Sequence, residues 1–499
     1  GLYGSFPVDK TVPWEPICTG RRLRNLRRLV FTHTKRSFWE GILAATTTCT
    51  PLHHDEFEDP KEVRLIRINR VRATPSRVSC INNSSERLRH LVFGQLHREM
   101  RTWPSSSFRR AYVGKGHGGQ RRAFTVKFLG EGVNDYGGPY RAVFEQVVDE
   151  LQSDQLALAG KGQADQCLLP VLVPCPNRSA NVGTNQDKFI FNPGPAASKP
   201  ITQELAEFLG KLVGMAVRHG LQMGLDLPST VWRPLVCLPL SLVHLRSIDE
   251  LATKKGLEEE VKTSKKGMEK LKDNSSKPNE SAAVPQEWEE LNFTTHLSDG
   301  SEVPLIPGGE QEAVRLDNWS DYVQRSEVCR LGESSPMLRA FREGLATVLP
   351  VELFAIFTPT ELERLVCGVR QVDVGLLQQC TEYEDTDAAS PHVEYFWEVM
   401  REMLPSERTA FLRFVWARSR MPPTAKDFPT NFKIQAPAGG AKEEPDNYLP
   451  HAQTCFFSLS LPAYSSKEQL RRKLLFAINN SPNMDADVLL HNAEGWADT

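Results

Sequence analysis

The sequence predicts an α+β protein, with a larger and mainly helical part followed by a smaller part that mixes strands and helix. Three stretches carry this expectation. Residues 202–219 place Leu205, Phe208, Leu209, Leu212, Val213 and Ala216 on one helical face, and Gly220 stops the helix. The segment Trp288-Glu289-Glu290-Leu291-Asn292-Phe293-Thr294, with the Asp299-Gly300 turn and then Val303 and Leu305, reads as a β-hairpin. Phe457, Leu459 and Leu461 alternate as a half-buried strand. After them Leu470, Leu474 and Ile478 line one face of a last helix, with Ser466 and Gln469 as its capping box.

Composition narrows the class. The 499 residues, 40% of them hydrophobic, suffice for roughly two to four domains with full cores. No run of about 18 or more apolar residues occurs, so no membrane segment is expected, and the N-terminal residues lack a signal peptide's apolar core. The chain opens at Gly1, which suggests a piece of a longer protein. Ten cysteines without a CxxC pair argue against a zinc site or a disulfide framework. A reducing compartment is therefore expected, the cytoplasm with the nucleus also open, and neither metal nor cofactor is called for.

Charge is uneven. Residues 1–123 hold 23 Lys/Arg against 10 Asp/Glu, a net +13, and since the whole chain is −2 the remainder carries −15. We read 1–123 as a basic N-terminal extension. Its clusters, Arg21-Arg22-Leu23-Arg24 and Arg27-Arg28, lack the interleaved aromatics of a base-stacking surface. Docking onto the acidic remainder, or plain solvation, explains them better than nucleic acid.

Within that segment, residues 63–71 read as a strand or a short basic helix, and 85–111 as helical. The glycine-rich loop Gly114–Gly119 lacks the spacing of a phosphate-binding loop. Phe124, Val126 and Phe128 form a strand, and a turn through Gly137-Gly138-Pro139 leads into a helix near Tyr140. Glu131 and Asp135 in this turn are expected to cap backbone N–H groups rather than to form a catalytic pair. Gly210 and Gly214 require another element to cross the 202–219 helix closely. Residues 253–283 are Lys-, Glu- and Ser-rich and read as a solvated charged insert. Helices follow at 320–348, 350–356 and 359–366, then at 391–404 and at 406–419, the last capped by Ser406. Met421-Pro422-Pro423 ends that helix, and a domain boundary is expected there.

The chemistry points to Leu449-Pro450-His451-Ala452-Gln453-Thr454-Cys455. A thiol at a loop–strand junction is held by a rigid element and can still be reached from outside, although a lone cysteine is often simply a small buried hydrophobe. Cys455 is the candidate nucleophile.

With these residues in hand, the chain over 124–488 resembles the catalytic domain of HECT-type E3 ubiquitin ligases. Leu449-Pro450 with Thr454-Cys455, Leu459, Leu461-Pro462 and Tyr464 carry the resemblance. So do Phe128, Gly130-Glu131, Asp135, Gly137-Gly138 and Arg141, then Phe208-Leu209-Gly210, Cys367-Gly368 and Phe396-Trp397. The segment Phe411-Leu412-Arg413-Phe414-Val415-Trp416 looks most like large HERC-type or similar giant members. The resemblance implies a bilobal domain. Its mostly helical N-lobe would span 124–419, with an E2-binding subdomain near 237–318 that includes the 253–283 insert. A hinge at 420–424, an α/β C-lobe at 425–488 and a tail at 489–499 would follow.

It further implies that Cys455 accepts ubiquitin as a thioester from a ubiquitin-conjugating enzyme (E2) and passes it to lysines of a protein substrate. Thr454 would orient the thioester. Many relatives carry a histidine two positions before the cysteine, where this chain has Gln453, which can donate a hydrogen bond but is no base. His451 is the candidate substitute. Near the C-terminus Met484 stands where many relatives have a lobe-docking phenylalanine. Trp288, Leu291 and Phe293 are the candidates for an apolar E2-docking groove. The alternative function is a HECT-like scaffold that binds E2 or ubiquitin without turnover.

Overall fold

A computed structural model describes residues 25–48, 63–81, 83–113, 120–131, 135, 137–153, 167–194, 200–252, 291–315 and 317–480. The charged insert, Trp288, Met484, the loop at 114–119 and the tail at 489–499 lie outside them. The described chain is built on two large hydrophobic cores and two small ones.

The first core begins inside the basic segment. Helix α1 (Thr32–Ala45) buries Trp39 against Phe354 and Phe357. Strand β1 (Leu65–Ile68) is the strand alternative of the two readings at 63–71, and it pairs in parallel with β2 (Thr125–Phe128). Ile66 and Ile68 face the core while Leu65 and Arg67 face out. Helices α2 (Ser84–His90) and α3 (Val92–Met100) break the helical stretch in two, and the buried Glu150 carboxylate accepts the N–H groups of Val92 and Phe93 at the start of α3. Residues from Trp39 to Phe108 thus share a core with residues beyond 124, so the described part of 1–123 is packed into that core and does not stand apart from it. Of the arginines that suggested a separate extension, Arg67 faces out from a strand whose other face is apolar, whereas Arg27, Arg87 and Arg122 are buried, Arg27 donating to the Val236 carbonyl at 3.0 Å.

Helix α4 (Gly138–Leu151) starts after Gly137, whose φ of 114° is accessible to glycine without strain, and carries Pro139 in its first turn. Asp135 does as expected and accepts the N–H groups of Gly137 and Val126. It also pairs with Arg122 at 3.1 Å. Glu131 does not cap; it pairs with Arg70. Strands β3 (Leu172–Pro174) and β4 (Phe189–Phe191) form an antiparallel pair. Helix α5 (Pro200–Arg218) follows, then α6 (Ser229–Leu235) and the short helix Leu242–Arg246. The expected hairpin is β5 (Thr294–His296) with β6 (Glu302–Pro304).

The helix expected at 320–348 is two, α7 (Trp319–Gly332) and α8 (Ser335–Val348). Helix α8 crosses α5 at its glycines. A Cβ on Gly210 would lie 2.1 Å from the Phe341 carbonyl oxygen, and one on Gly344 would lie 1.8 Å from that of Glu207. Helix α9 (Pro359–Cys367) closes this core; Thr358 and Glu361 form its capping box.

The second core runs from Val372 to Ile478. Helix α10 (Val374–Gln379) leads into β7 (Thr381–Glu384), a strand absent from the sequence reading. Helices α11 (Pro391–Glu402) and α12 (Pro405–Trp416) form the crossover that a parallel pairing requires, to β8 (Phe432–Gln435). Strands β9 (His451–Gln453) and β10 (Ser458–Ser460) complete a sheet of order β7-β8-β10-β9, β8 and β10 parallel, β10 and β9 antiparallel. Helix α13 (Lys467–Asn480) buries Leu470, Leu474 and Ile478 as expected. Its capping box is half formed. Ser466 Oγ accepts the Gln469 N–H, but the Gln469 amide turns to the Asp446 carbonyl instead.

Two expectations fail here. The link at 420–424 does not divide the cores, because Met421 is buried in the second core together with α11 and α12 before it and β8 after it. The break between cores falls at 368–371, where Val369 donates its N–H to the Met421 carbonyl at 3.0 Å. Nor does Ser406 cap α12, which begins one residue earlier at Pro405 with the Glu407 carboxylate accepting the Leu404 N–H.

Candidate active site

Cys455 sits in a four-residue turn, 454–457, between β9 and β10, so the stretch before it is a short strand rather than a loop. The Phe456 N–H donates to the Gln453 carbonyl at 3.1 Å and closes the turn. Phe457 then adopts φ 51°, a left-handed conformation that costs a bulky residue on the order of 1 kcal/mol. Burial offsets that cost. The Phe457 ring is fully covered, stacked on Trp416 at 4.0 Å with planes 8° apart, and it touches Phe432 at 5.0 Å. Trp416 also stacks on Phe428. The turn therefore hangs on an aromatic anchor in the second core, while Cys455 at its apex stays half-buried and Phe456 is exposed.

That exposure separates Cys455 from the buried thiols. Burial pushes the Cys175 thiol up to about 12 and that of Cys367 higher still, which makes both poor nucleophiles.

The first core reaches the turn through Arg141. This side chain projects from α4 and donates to three oxygens: the Thr454 carbonyl, the Trp416 carbonyl at 3.2 Å and the Gln120 amide at 3.3 Å. Burial lowers its guanidinium to about 10, while Cys455 and Asp135 draw it back up. It remains a cation at neutral pH. Arg418, which donates to Gly220 and Gln222 and lies over the Trp416 ring, is also pushed down by burial and by Arg141.

The other expected residues separate. The Thr454 side chain is buried, and its Oγ1 has no hydrogen-bond partner among the described residues. Gln453 is exposed beside the turn. His451 shares the outward face of β9 with it, but the register pairs His451 with Ser460 at the end of the hairpin away from Cys455. Two strand residues put these side chains about 6–7 Å apart along the strand.

The expected groove is not open at Phe293. That ring is 2% exposed and packs against Val314, Tyr322 and Val323, with Leu291 half-buried beside them, because the strand turns this face onto α7. Exposed apolar side chains occur instead at Leu242, Val243 and Leu251. A cleft of about 910 Å³ between α1, the end of α5 and residues 423–429 does not include Cys455 in its walls. Among the described residues no group of three His, Cys, Asp or Glu side chains is arranged to hold a metal, and no helix is long and apolar enough to cross a membrane.

The sequence reading assigned no role to Arg141, Gln120, Trp416 or Arg418. One signal was present, since Arg141, Glu145 and Asp149 recur every four residues along a helix whose opposite face carries Val143, Phe144, Val147 and Leu151.

Comparison with known proteins bears on this site. A family model described as HECT-domain (ubiquitin-transferase) matches residues 146–487, which include the Cys455 turn and the second core. The E3 ubiquitin-protein ligase HERC2 of Homo sapiens is 33% identical over 397 residues, 79% of this chain and 7% of that protein. The probable E3 ubiquitin-protein ligase HECTD4 of Homo sapiens is 28% identical over 479 residues, covering 92% of this chain and 11% of that protein. The E3 ubiquitin-protein ligase HACE1 of Danio rerio is 29% identical over 301 residues, 59% of this chain and 31% of that protein. The chain thus spans a minor part of the length of these relatives. On the extent of the family match, which covers more than half of its residues, the chain belongs to the HECT-domain (ubiquitin-transferase) family.

Proposed function

We propose that this chain is the catalytic unit of an E3 ubiquitin ligase and that Cys455 carries ubiquitin as a thioester. One observation carries the reading: the cysteine that matches the family motif is presented at the apex of an anchored turn, half-exposed and beside a buried cation. The Cys455 thiolate attacks the carbonyl carbon of the ubiquitin–E2 thioester, the bond to the E2 sulfur breaks, and that sulfur leaves as a thiolate. The bond made resembles the bond broken, so a thiol of ordinary reactivity is competent. In the second step a substrate lysine amine attacks the new thioester, the C–S bond breaks toward Cys455, and the amine's proton passes to solvent or a nearby base.

The residues from 372 onward, with Cys455, form the unit that moves between the two partners, and the link lies at 368–371. Separate cores on either side of that link support this placement. The E2 docks on the apolar side chains Leu242 and Val243, which are exposed on one short helix. The setting proposed is cytoplasmic. The test is a non-reducing gel after incubation with E1, E2, ATP and ubiquitin. A DTT-sensitive adduct is expected on the wild type and not on Cys455→Ala; an adduct that survives that substitution would refute the assignment.

A further inference from the structure

Helix α4 faces two ways. Val143, Phe144, Val147 and Leu151 belong to the first core, whereas Arg141, Glu145 and Asp149, four residues apart, line another face. Each member of this polar stripe meets the second core. Arg141 holds the Thr454 and Trp416 carbonyls; Glu145 accepts the Ser419 N–H at 2.8 Å and its hydroxyl at 3.1 Å; Asp149 accepts from Arg413 at 2.7 Å. The chain reaches this stripe because Ala417, at φ 53°, ends α12 in a left-handed turn and lays Arg418-Ser419-Arg420 across the seam.

The seam is incompletely paired. Arg418 Nε and Thr454 Oγ1 are buried without a hydrogen-bond partner among the described residues, and Glu145 Oε2, also without one, has only the Arg413 guanidinium at 3.8 Å. Such atoms cost free energy in the closed arrangement and are hydrated once it opens, so the seam is built for contact that can be released. Cys455 is the residue after the carbonyl that Arg141 holds.

We infer that Arg141 is the positioning residue of Cys455: fixed by Trp416 and Gln120, its guanidinium pins the turn through the Thr454 carbonyl and sets a positive charge beside the sulfur only while the cores are docked. This rests on the proposed ligase reading and refines its second step. When the lysine amine displaces Cys455 from the thioester carbonyl, the electron pair of the broken C–S bond returns to sulfur. The charge that appears there is the one Arg141 faces. Loading from an E2, with the seam open, would not draw on it.

The charged groups packed round the turn and Arg141 are Arg122 and Asp135 before α4, Glu145 along it and Arg418 after α12, while the titratable His451 lies at the far end of the hairpin. The experiment is the pH profile of iodoacetamide alkylation at Cys455, read by mass spectrometry on the intact chain, with the half-exposed Cys237 and Cys329 as internal references. Arg141→Gln should raise the Cys455 midpoint by about 1 pH unit while the references stay in place, and Arg141→Lys should restore most of the shift. An unchanged midpoint in folded Arg141→Gln overturns the inference. If that variant does not fold, Ser419→Asp decides instead. It sets a second carboxylate against Glu145 and opens the seam with Arg141 intact, and the same upward shift is expected; an open seam, seen as faster hydrogen exchange at 454–457, with an unmoved midpoint overturns the inference. Wild type that alkylates as expected yet forms no thioester refutes the ligase reading and leaves the Arg141 result to stand by itself.

Discussion

The Arg141 guanidinium donates a hydrogen bond to the Thr454 carbonyl, joining residues 313 apart in sequence at the position just before Cys455. Both ends are fixed independently, Arg141 by α4 and Thr454 by the hairpin. Cys455 is therefore placed by the meeting of two cores and not by its own strand alone.

The hairpin's anchor gives the first prediction. Phe457→Ala removes the stack on Trp416 and leaves a cavity, at a cost of about 3–5 kcal/mol. Denaturant unfolding should show this loss, and the DTT-sensitive adduct should fall with it at equal folded concentration. Unfolding that matches wild type would mean that the ring does not hold the turn.

Glycines make opposite predictions at two helical sites. Gly344→Ala drives a methyl group into the Glu207 carbonyl at the α5–α8 crossing and should cost about 1–3 kcal/mol or more, read as a lower Tm. Gly41→Ala in α1 meets nothing within 4 Å and should raise stability by up to about 1 kcal/mol through helix propensity. Similar Tm values for the two variants would contradict the close crossing.

His219 predicts a pH dependence. Its Nε2 lies 2.8 Å from the Arg110 carbonyl and its Nδ1 lies 3.0 Å from the Tyr140 hydroxyl; burial lowers it to about 4, with Arg218, Arg121 and Arg122 adding to the effect. The unfolded chain protonates near 6.5 and the folded chain only near 4, so the unfolded state binds more protons between those values. The contribution to stability is intact above about 6.5 and is lost as pH falls toward 4, on the order of 3 kcal/mol in all. In thermal unfolding from about pH 7.5 to about pH 4, His219→Gln should lose less stability than wild type. Parallel curves would rule out His219 as the source.

A fourth prediction concerns α1. Lys35 pairs with Glu361 in the first core, while Arg36 pairs with Asp427 in the second. Asp427→Asn should speed hydrogen exchange at 421–429 and lower global stability by about 1 kcal/mol, because this ion pair is part-buried rather than enclosed. Unaltered exchange there would show that α1 does not hold that segment.

How much of this was legible depends on the range of the interactions. Helix α5, its stop at Gly220 and its close crossing follow from spacing within about twenty residues, and the sequence reading has them. Strand β7 was hidden because Thr381-Glu382-Tyr383-Glu384 is mostly polar and sits at the sheet edge, where Tyr383 is its one apolar contact with the core. Pro422 and Pro423 do stop a helix, but a stop is not a hinge: Trp416 before them and Phe432 after them meet through Phe457. The net charge of 1–123 masked Ile66 and Ile68, since a count of arginines does not see which face they leave apolar. The reachable placement of Cys455 at the start of a strand was legible from its neighbours. Arg141 was not, because its partners in the second core lie hundreds of residues away.

The parallel pairing of β1 with β2 sets a limit on how this protein can be shortened. A fragment that starts at residue 124 keeps every motif of the family resemblance, yet it removes the strand with which β2 is paired, including the Arg64 and Ile68 carbonyls that accept the Thr125 and Leu129 N–H groups. Strand β2 would then be an open, apolar sheet edge, the template from which aggregation begins. Solubility of such a fragment is thus decided by a four-residue strand some 390 residues before Cys455.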